Sequence, residues 1–284
     1  MKLLLIMLTV VVTPTTPVQQ SSPNVTVIGA SASAGWGVVV QQSTNADQKP
    51  RLHHRHIHLG DVLDAIITPA SSSVQSHATS LFFQAPRMHG DAQVSAVLAD
   101  DSDVVVALDF LFWHTYGNIM EQDGQDVTPR MKNLEVGLAQ LDRIESPVIV
   151  GDIPDMREAT KAWPFPLLQS NQVPSKESIQ AINKRIAAWA AARPLVTVIP
   201  LHDITKQVRN SKTVMLGGRT WPITARFVQA DGLHPTSHGL FALAVLAADA
   251  TAAASDEIEP PSPDLSAEDV LEALQPAIAA QDRQ

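Results

Sequence analysis

Residues 27–37, VIGASASAGWG, follow directly on Asn24-Val25-Thr26, and the reading of this stretch decides the fold. NVTVIGA is a short β-rich run ending in glycine, which signals a buried strand. Two serines and three glycines then crowd together, marking a sharp turn out of that strand. In open α/β sheets ligands gather beyond the carboxyl ends of the strands. The turn is therefore either a tight connection or the seat of a reactive serine.

Strand and helix signals alternate along the rest of the chain. SAGWGVVVQQSTN (33–45) is expected to open a helix after the turn, and LGDVLDAIIT (59–68) has helical spacing. HATSLFF (77–83) reads as strand, DAQVSAVLAD (91–100) as helix and DVVVALDFLFW (103–113) as a long apolar strand. PRMKNLEVGLAQLDRI (129–144) is an amphipathic helix, and SPVIVGDIP (146–154) is a buried strand. SKESIQAINKRIAAWAAARP (175–194) is a helix with Ser175 as its N-cap. LVTVIPLHDI (195–204) reads as strand, and TSHGLFALAVLAADATAAA (236–254) as a final, buried helix. Such alternation predicts one α/β domain over residues 23–253, with a parallel sheet between helices on both faces. Residues 254–284 are acidic and Pro-rich, then hold a short amphipathic segment opening at Ser266. They read as a linker and a loosely attached helix.

At 284 residues with 45% hydrophobic composition, the chain can bury a sizeable core. Its net charge of −9 and lack of a basic block argue against nucleic acid and anionic membrane surfaces as partners. With no cysteine, disulfides, thiol catalysis and cysteine-bound metals are excluded. Lys2 precedes an apolar run of ten residues, Leu3–Val12, followed by a polar Thr/Pro/Gln/Ser stretch. A membrane span needs about 20 apolar residues, so residues 1–22 read as a secretory signal and linker, and export is expected. No stable membrane span is expected.

Three reaction classes can use a strand-to-helix turn. A dinucleotide fingerprint starting at Gly29 would need glycines where Ser31 and Ala34 stand, and a P-loop would need a lysine that is absent. A serine nucleophile needs a base and a carboxylate that orients the base. DGLHP (231–235) supplies both: Asp231 lies three residues from His234 and can hold one ring nitrogen while the other faces a serine. Pro235 suits the first turn of the next helix. An α/β-hydrolase elbow centred on Ser33 lacks its first glycine, and that fold takes its acid and histidine from separate loops. Taken alone, Ser31 is a small residue in a turn, and His234 a helix-capping histidine. Their pairing with Asp231 favours chemistry, with Ser33 and His238 as weaker alternatives.

The two stretches together resemble the first and last blocks of the SGNH (GDSL-type) hydrolase family. Gly29-Ala30-Ser31 matches its Gly-Asp-Ser, Gly35 and Gly37 its later glycines, and Asp231, His234 and Pro235 its Asp-x-x-His-Pro. The helix IQAINKRIAAWAA (179–191) also falls where the family has one, and the resemblance spans about residues 25–250. It implies a flavodoxin-like three-layer α/β/α sandwich and ester hydrolysis with no metal or organic cofactor. It further implies Ser31 as nucleophile, His234 as base and Asp231 as orienter. The substrate would be a small-molecule or carbohydrate ester. Three departures stand out. Ala30 replaces the family's aspartate. The third block falls on Asp109–Phe112, with Leu111 where an oxyanion-binding asparagine belongs. Gly90 is the only glycine available for the second block. Asn118, His114 and Arg87 are candidates to replace the lost donor. The same departures support an alternative, a protein of this fold that has lost efficient catalysis and binds a carbohydrate or lipid.

Other features carry weaker signals. His54, His56 and His58 share a face if extended, and His53 adjoins them, but no Asp, Glu or Cys completes a recognised metal spacing, although Asp61 and Asp64 follow. That run reads as a solvated loop. Phe110 and Phe112 read as core, while Trp113, His114 and Tyr116 are placed to line a pocket. Asp109 on an apolar strand needs partners if buried, and it is expected to hold the Ser31 turn in place of the missing aspartate. Asp152, at the next strand's end, is a second candidate for that task.

Overall fold

The computed structural model describes residues 23–41, 54–67, 72–119, 126–162, 164, 166–223 and 227–281. The expected signal and linker (1–22) and His53 lie outside the described residues. The described residues open with β1 (Asn24–Val27), then a turn and a short antiparallel pair, β2 (Val39–Gln41) and β3 (His54–His56). Helix α1 (Leu59–Ile66) leads to β4 (Ser73–Ser76), α2 (Pro86–Ala99) and β5 (Val104–Ala107). The one-turn α3 (Phe112–Thr115) and α4 (Val127–Leu141) precede β6 (Val148–Gly151), and α5 (Lys176–Ala191) precedes β7 (Val196–Ile199). Then come α6 (Leu201–Asn210), the hairpin β8 (Thr213–Leu216) and β9 (Arg219–Pro222), α7 (Ser237–Ala254) and α8 (Ala267–Gln281).

The main sheet has five strands in the order β4-β1-β5-β6-β7, and every neighbouring pair is parallel. This is the doubly wound, flavodoxin-like order, in which the chain moves outward from the first strand in both directions. Alternation along the strands sorts the two cores. In β5, Val104 and Val106 face α1, α7 and the β8–β9 hairpin, while Val105 and Ala107 face α2, α4 and α5. The result is a three-layer α/β/α molecule. Its switch point, where the connections diverge, lies at the carboxyl ends of β1 and β5. That is where such sheets keep their ligand crevice, and the Ser31 turn leaves β1 there.

Several elements differ from the sequence expectations, each for a local reason. Residues 33–37 do not open a helix: Gly35 and Gly37 adopt left-handed φ of +66° and +72°, and the chain turns into β2. A Cβ on Gly35 would collide with the Ile57 carbonyl, so the turn is closed around a glycine. The second sheet strand is Ser73–Ser76, before HATSLFF, which ends in a 3₁₀ turn over Phe82–Gln84. The long strand expected over 103–113 stops at Ala107 and rolls through a turn into α3. Likewise the strand expected over 195–204 ends at Ile199, and α6 starts after Pro200. Pro235 is not in the first helical turn but just before Thr236, whose Oγ1 caps α7 by accepting from Gly239 N.

The C-terminal segment is docked rather than loosely attached. Ile258, Ala267 and Val270 are buried in the same core as α1 and α7. Ser266 caps α8, its hydroxyl accepting from Asp269 N at 3.1 Å and donating to the Asp269 carboxylate at 2.6 Å. Helix α7 is long and apolar enough to cross a membrane by composition, but 61% of it is buried inside the fold.

Candidate active site

The Ser31 turn is built by three anchors. Gln93 on α2, itself buried, binds Gly29 from both sides: its Oε1 accepts from Gly29 N at 2.8 Å and its Nε2 donates to Gly29 O at 2.9 Å. Asp109, just past β5, accepts from the turn's amides. Its Oδ1 takes Ala30 N at 2.9 Å, and its Oδ2 takes Ala32 N at 2.8 Å and Ser33 N at 3.2 Å. The Ser33 hydroxyl adds a fourth donor at 2.6 Å. Gly29 has φ +146°, and a Cβ there would strike the Asp109 carboxylate, so this approach requires glycine. The third anchor is Gln229. Its Nε2 donates to Trp36 O and to Pro235 O, both at 2.7 Å, and so ties the end of the turn to the His234 loop across 193 residues of chain.

Within this frame Ser31, His234 and Asp231 form a hydrogen-bonded line. Ser31 Oγ lies 3.0 Å from His234 Nε2, and His234 Nδ1 lies 2.8 Å from Asp231 Oδ2. The other Asp231 oxygen accepts from Leu233 N at 2.8 Å and His234 N at 3.0 Å. Burial pushes the Asp231 carboxyl up, but the hydrogen bonds from the His234 ring and the two amides outweigh it and hold it below the usual carboxylate range. Asp231 is thus an anion fixed on three donors, able to hold Nδ1–H and leave Nε2 as the acceptor for the Ser31 hydroxyl. Gly232, with φ +71°, lets the loop run against the Ala159 backbone. Ser31 and His234 are 8% and 5% exposed, with Trp36 flanking the imidazole at 5.9 Å between ring centroids. The amides of Ala30, Ala32 and Ser33 are all engaged by Asp109. Among the described residues no acceptor meets the Ser31 amide, which is the donor left over beside the hydroxyl.

The other candidates fall elsewhere. Ser33 points at Asp109 rather than His234, and His238 pairs with Glu268 on α8 at 3.0 Å. Leu111 is buried in the core against Gly137, and Asp109 is the residue after β5 that reaches the Ser31 turn. Gly90 faces Gln140 across the α2–α4 contact. His114 packs among Phe82, Phe110 and Gly137, and burial lowers its pKa to about 4. Asn118 is exposed, and none of these three lines the cavity beside Ser31. Tyr116 is buried, donating to Pro154 O and accepting from Met156 N. Asp152 holds no part of the Ser31 turn: it caps α6 by accepting from His202 N at 2.7 Å, and burial raises its pKa. His56 is exposed in β3, and no three His, Asp or Glu side chains among the described residues are grouped to hold a metal ion. Neither Gln93 nor Gln229 had any sequence signal beyond residue type.

Beside Ser31 and His234 a cavity of about 140 Å³ opens between the sheet's carboxyl end, α6 and α7. Leu108, Trp113, Ile153 and Met156 form its near walls, and its lining is predominantly apolar. Trp113 meets Phe83, which is 50% exposed, at 5.6 Å between centroids, so the apolar surface continues to the outside.

No protein-family model matches this chain, and no curated protein matches it. Among solved structures it is similar to a gut microbial diltiazem-metabolizing enzyme, with TM-score 0.50 and 10% sequence identity. The match covers 82% of this chain but only 47% of that enzyme, so this chain spans about half its length. At this identity the likeness concerns the α/β/α fold.

Proposed function

We propose that the protein is a serine hydrolase that cleaves carboxylic esters through Ser31, His234 and Asp231. The observation that carries this is the unbroken line Ser31 Oγ–His234 Nε2–Asp231, assembled from opposite ends of the domain at the sheet's switch point. Ser31 Oγ attacks the ester carbonyl as its proton passes to His234 Nε2, and Asp231 stabilises the imidazolium that forms. The Ser31 amide donates to the developing oxyanion. His234 then gives its proton to the leaving alcohol. Water, deprotonated by His234, attacks the acyl-enzyme carbonyl, and His234 returns that proton to Ser31 Oγ as the acid leaves. The chemistry uses only side chains and backbone of this chain. The apolar stretch Leu3–Val12 supports export as the setting of this activity.

A second reading has one specific support. Asp109 brings a carboxylate onto the nucleophile turn, and negative charge there opposes an oxyanion. On that reading the site binds a carbohydrate or lipid with little turnover. Labelling by a fluorophosphonate, together with turnover of p-nitrophenyl butyrate, separates the two. The hydrolase reading expects both in the native protein and neither in Ser31→Ala or His234→Ala, with all three equally folded. Equal inactivity of three folded proteins towards both reagents would sink it.

A further inference from the structure

The cavity beside Ser31 has the make-up of an acyl-chain pocket. Helix α6 is amphipathic, with Leu201, Ile204 and Val208 on one face at helical spacing, yet none of its residues is fully buried. That apolar face meets the edge of the core and also lines the cavity. Opposite it stand Ala242, Leu243 and Leu246 of α7. Because α7 begins directly after the His234 loop, these positions step away from the nucleophile at 1.5 Å per residue, and the lining from Gly239 to Leu246 runs for roughly 10 Å. An enclosed apolar cavity of about 150 Å³ holds a six-carbon ring. The present cavity, about 140 Å³ and open at one side, is of a size to take a short hydrocarbon tail.

We propose that this pocket receives the acyl chain of the ester, unbranched and about six to eight carbons long, with the carbonyl held at Ser31. This rests on the Ser31 reading for the chemistry, but not for the binding. The test has two arms. In the first, the full chain hydrolyses p-nitrophenyl acetate, butyrate, hexanoate, octanoate, dodecanoate and palmitate. The expected kcat/KM for hexanoate and octanoate exceeds that for acetate by about tenfold or more and falls again for palmitate. Ala242→Phe, which fills the α7 wall, lowers the octanoate-to-acetate ratio by about tenfold. Val208→Trp does so from the α6 wall, should Ala242→Phe fail to fold.

In the second arm, octanoate is titrated into Ser31→Ala and the thermal midpoint is followed. It rises with ligand, and it does not rise when Val208→Trp is added. Turnover with no chain-length preference, or with acetate preferred, overturns the pocket and leaves the hydrolase reading standing. No turnover of any ester, with octanoate still stabilising Ser31→Ala but not the doubly substituted protein, overturns the chemistry and leaves the pocket. Neither turnover nor stabilisation overturns both.

Discussion

Two carboxylates near Ser31 have different duties, and their partners say which. Asp231 binds the imidazole and two amides, so Asp231→Asn presents an amide to Nδ1 and favours the wrong tautomer. A loss in kcat of about 10⁴ is expected, with the fold unaffected. Asp109 does not contact the His234 ring and instead collects four donors from the turn. Asp109→Ala would leave those donors without their acceptor. Hydrogen bonds to charged groups are worth about 1.5–3 kcal/mol each, so about 3 kcal/mol of stability and most of the activity should be lost together. Urea unfolding beside ester kinetics checks this. Asp109→Ala with native stability would show that the turn holds itself. His114 yields a pH prediction. Burial holds its pKa at about 4, below the usual 6.5, so the folded protein binds fewer protons than the unfolded chain between those values. Stability attributable to His114 is complete above pH 6.5 and is lost as pH falls towards 4, by roughly 3 kcal/mol. His114→Leu should flatten that window, seen as a smaller fall in thermal midpoint between neutral and acid pH.

Among the elements, α4 and α5 are locked at their starts by one ionic cluster. Asp126 accepts from Ser175 N, from the Ser175 and Ser178 hydroxyls and from Arg130 Nε. Arg130, 1% exposed, also donates to Thr115 O and Asn171 O. Burial pushes the Asp126 carboxyl up, but these donors bring it down to about 2. Asp126→Ala would strand the buried guanidinium, and about 3–5 kcal/mol of stability should go. A lower urea midpoint at unchanged slope would show it.

The sequence made the central strands readable because β1, β5 and β6 are buried on both faces and carry runs of β-branched residues. Edge strand β4 is Ser-Val-Gln-Ser, largely exposed and with one sheet neighbour, so it has no apolar run to announce it. The β8–β9 hairpin did carry a signal, Gly217-Gly218 between two short strands, which turn with φ +55° and +71°. At the candidate site, the Asp231–His234 contact was foreshadowed by their spacing, and the place of Ser31 by its turn. Gln93, Gln229 and the apolar face of α6 were not. A glutamine's two-sided grip on a peptide, or a helix face left open to a cavity, depends on long-range packing that no local pattern records.

Across the whole molecule, the two α/β/α cores are unequal in how they are closed. The α2–α5 side is covered by consecutive helices between strands. The α1–α7 side draws on the hairpin and on α8, which arrives last and lies on α1 and α7. Ile258, Ala267 and Val270 fill that side, and Arg219 Nη2 donates to Pro261 O at 2.6 Å, fastening the connection to the hairpin. A chain ending after Ala254 would uncover the apolar surface of α1 that these side chains meet. Burying an Ile or Val contributes about 1.5–3 kcal/mol, so removal should cost roughly 4 kcal/mol and lower the midpoint of a single cooperative transition. No residue after Leu246 lines the Ser31 cavity, so kcat/KM per folded molecule should hold within about threefold. An unchanged midpoint would make α8 an appendage. A lowered midpoint with ester activity retained per folded molecule would make it the last piece of the core, acting on stability and not on the chemistry.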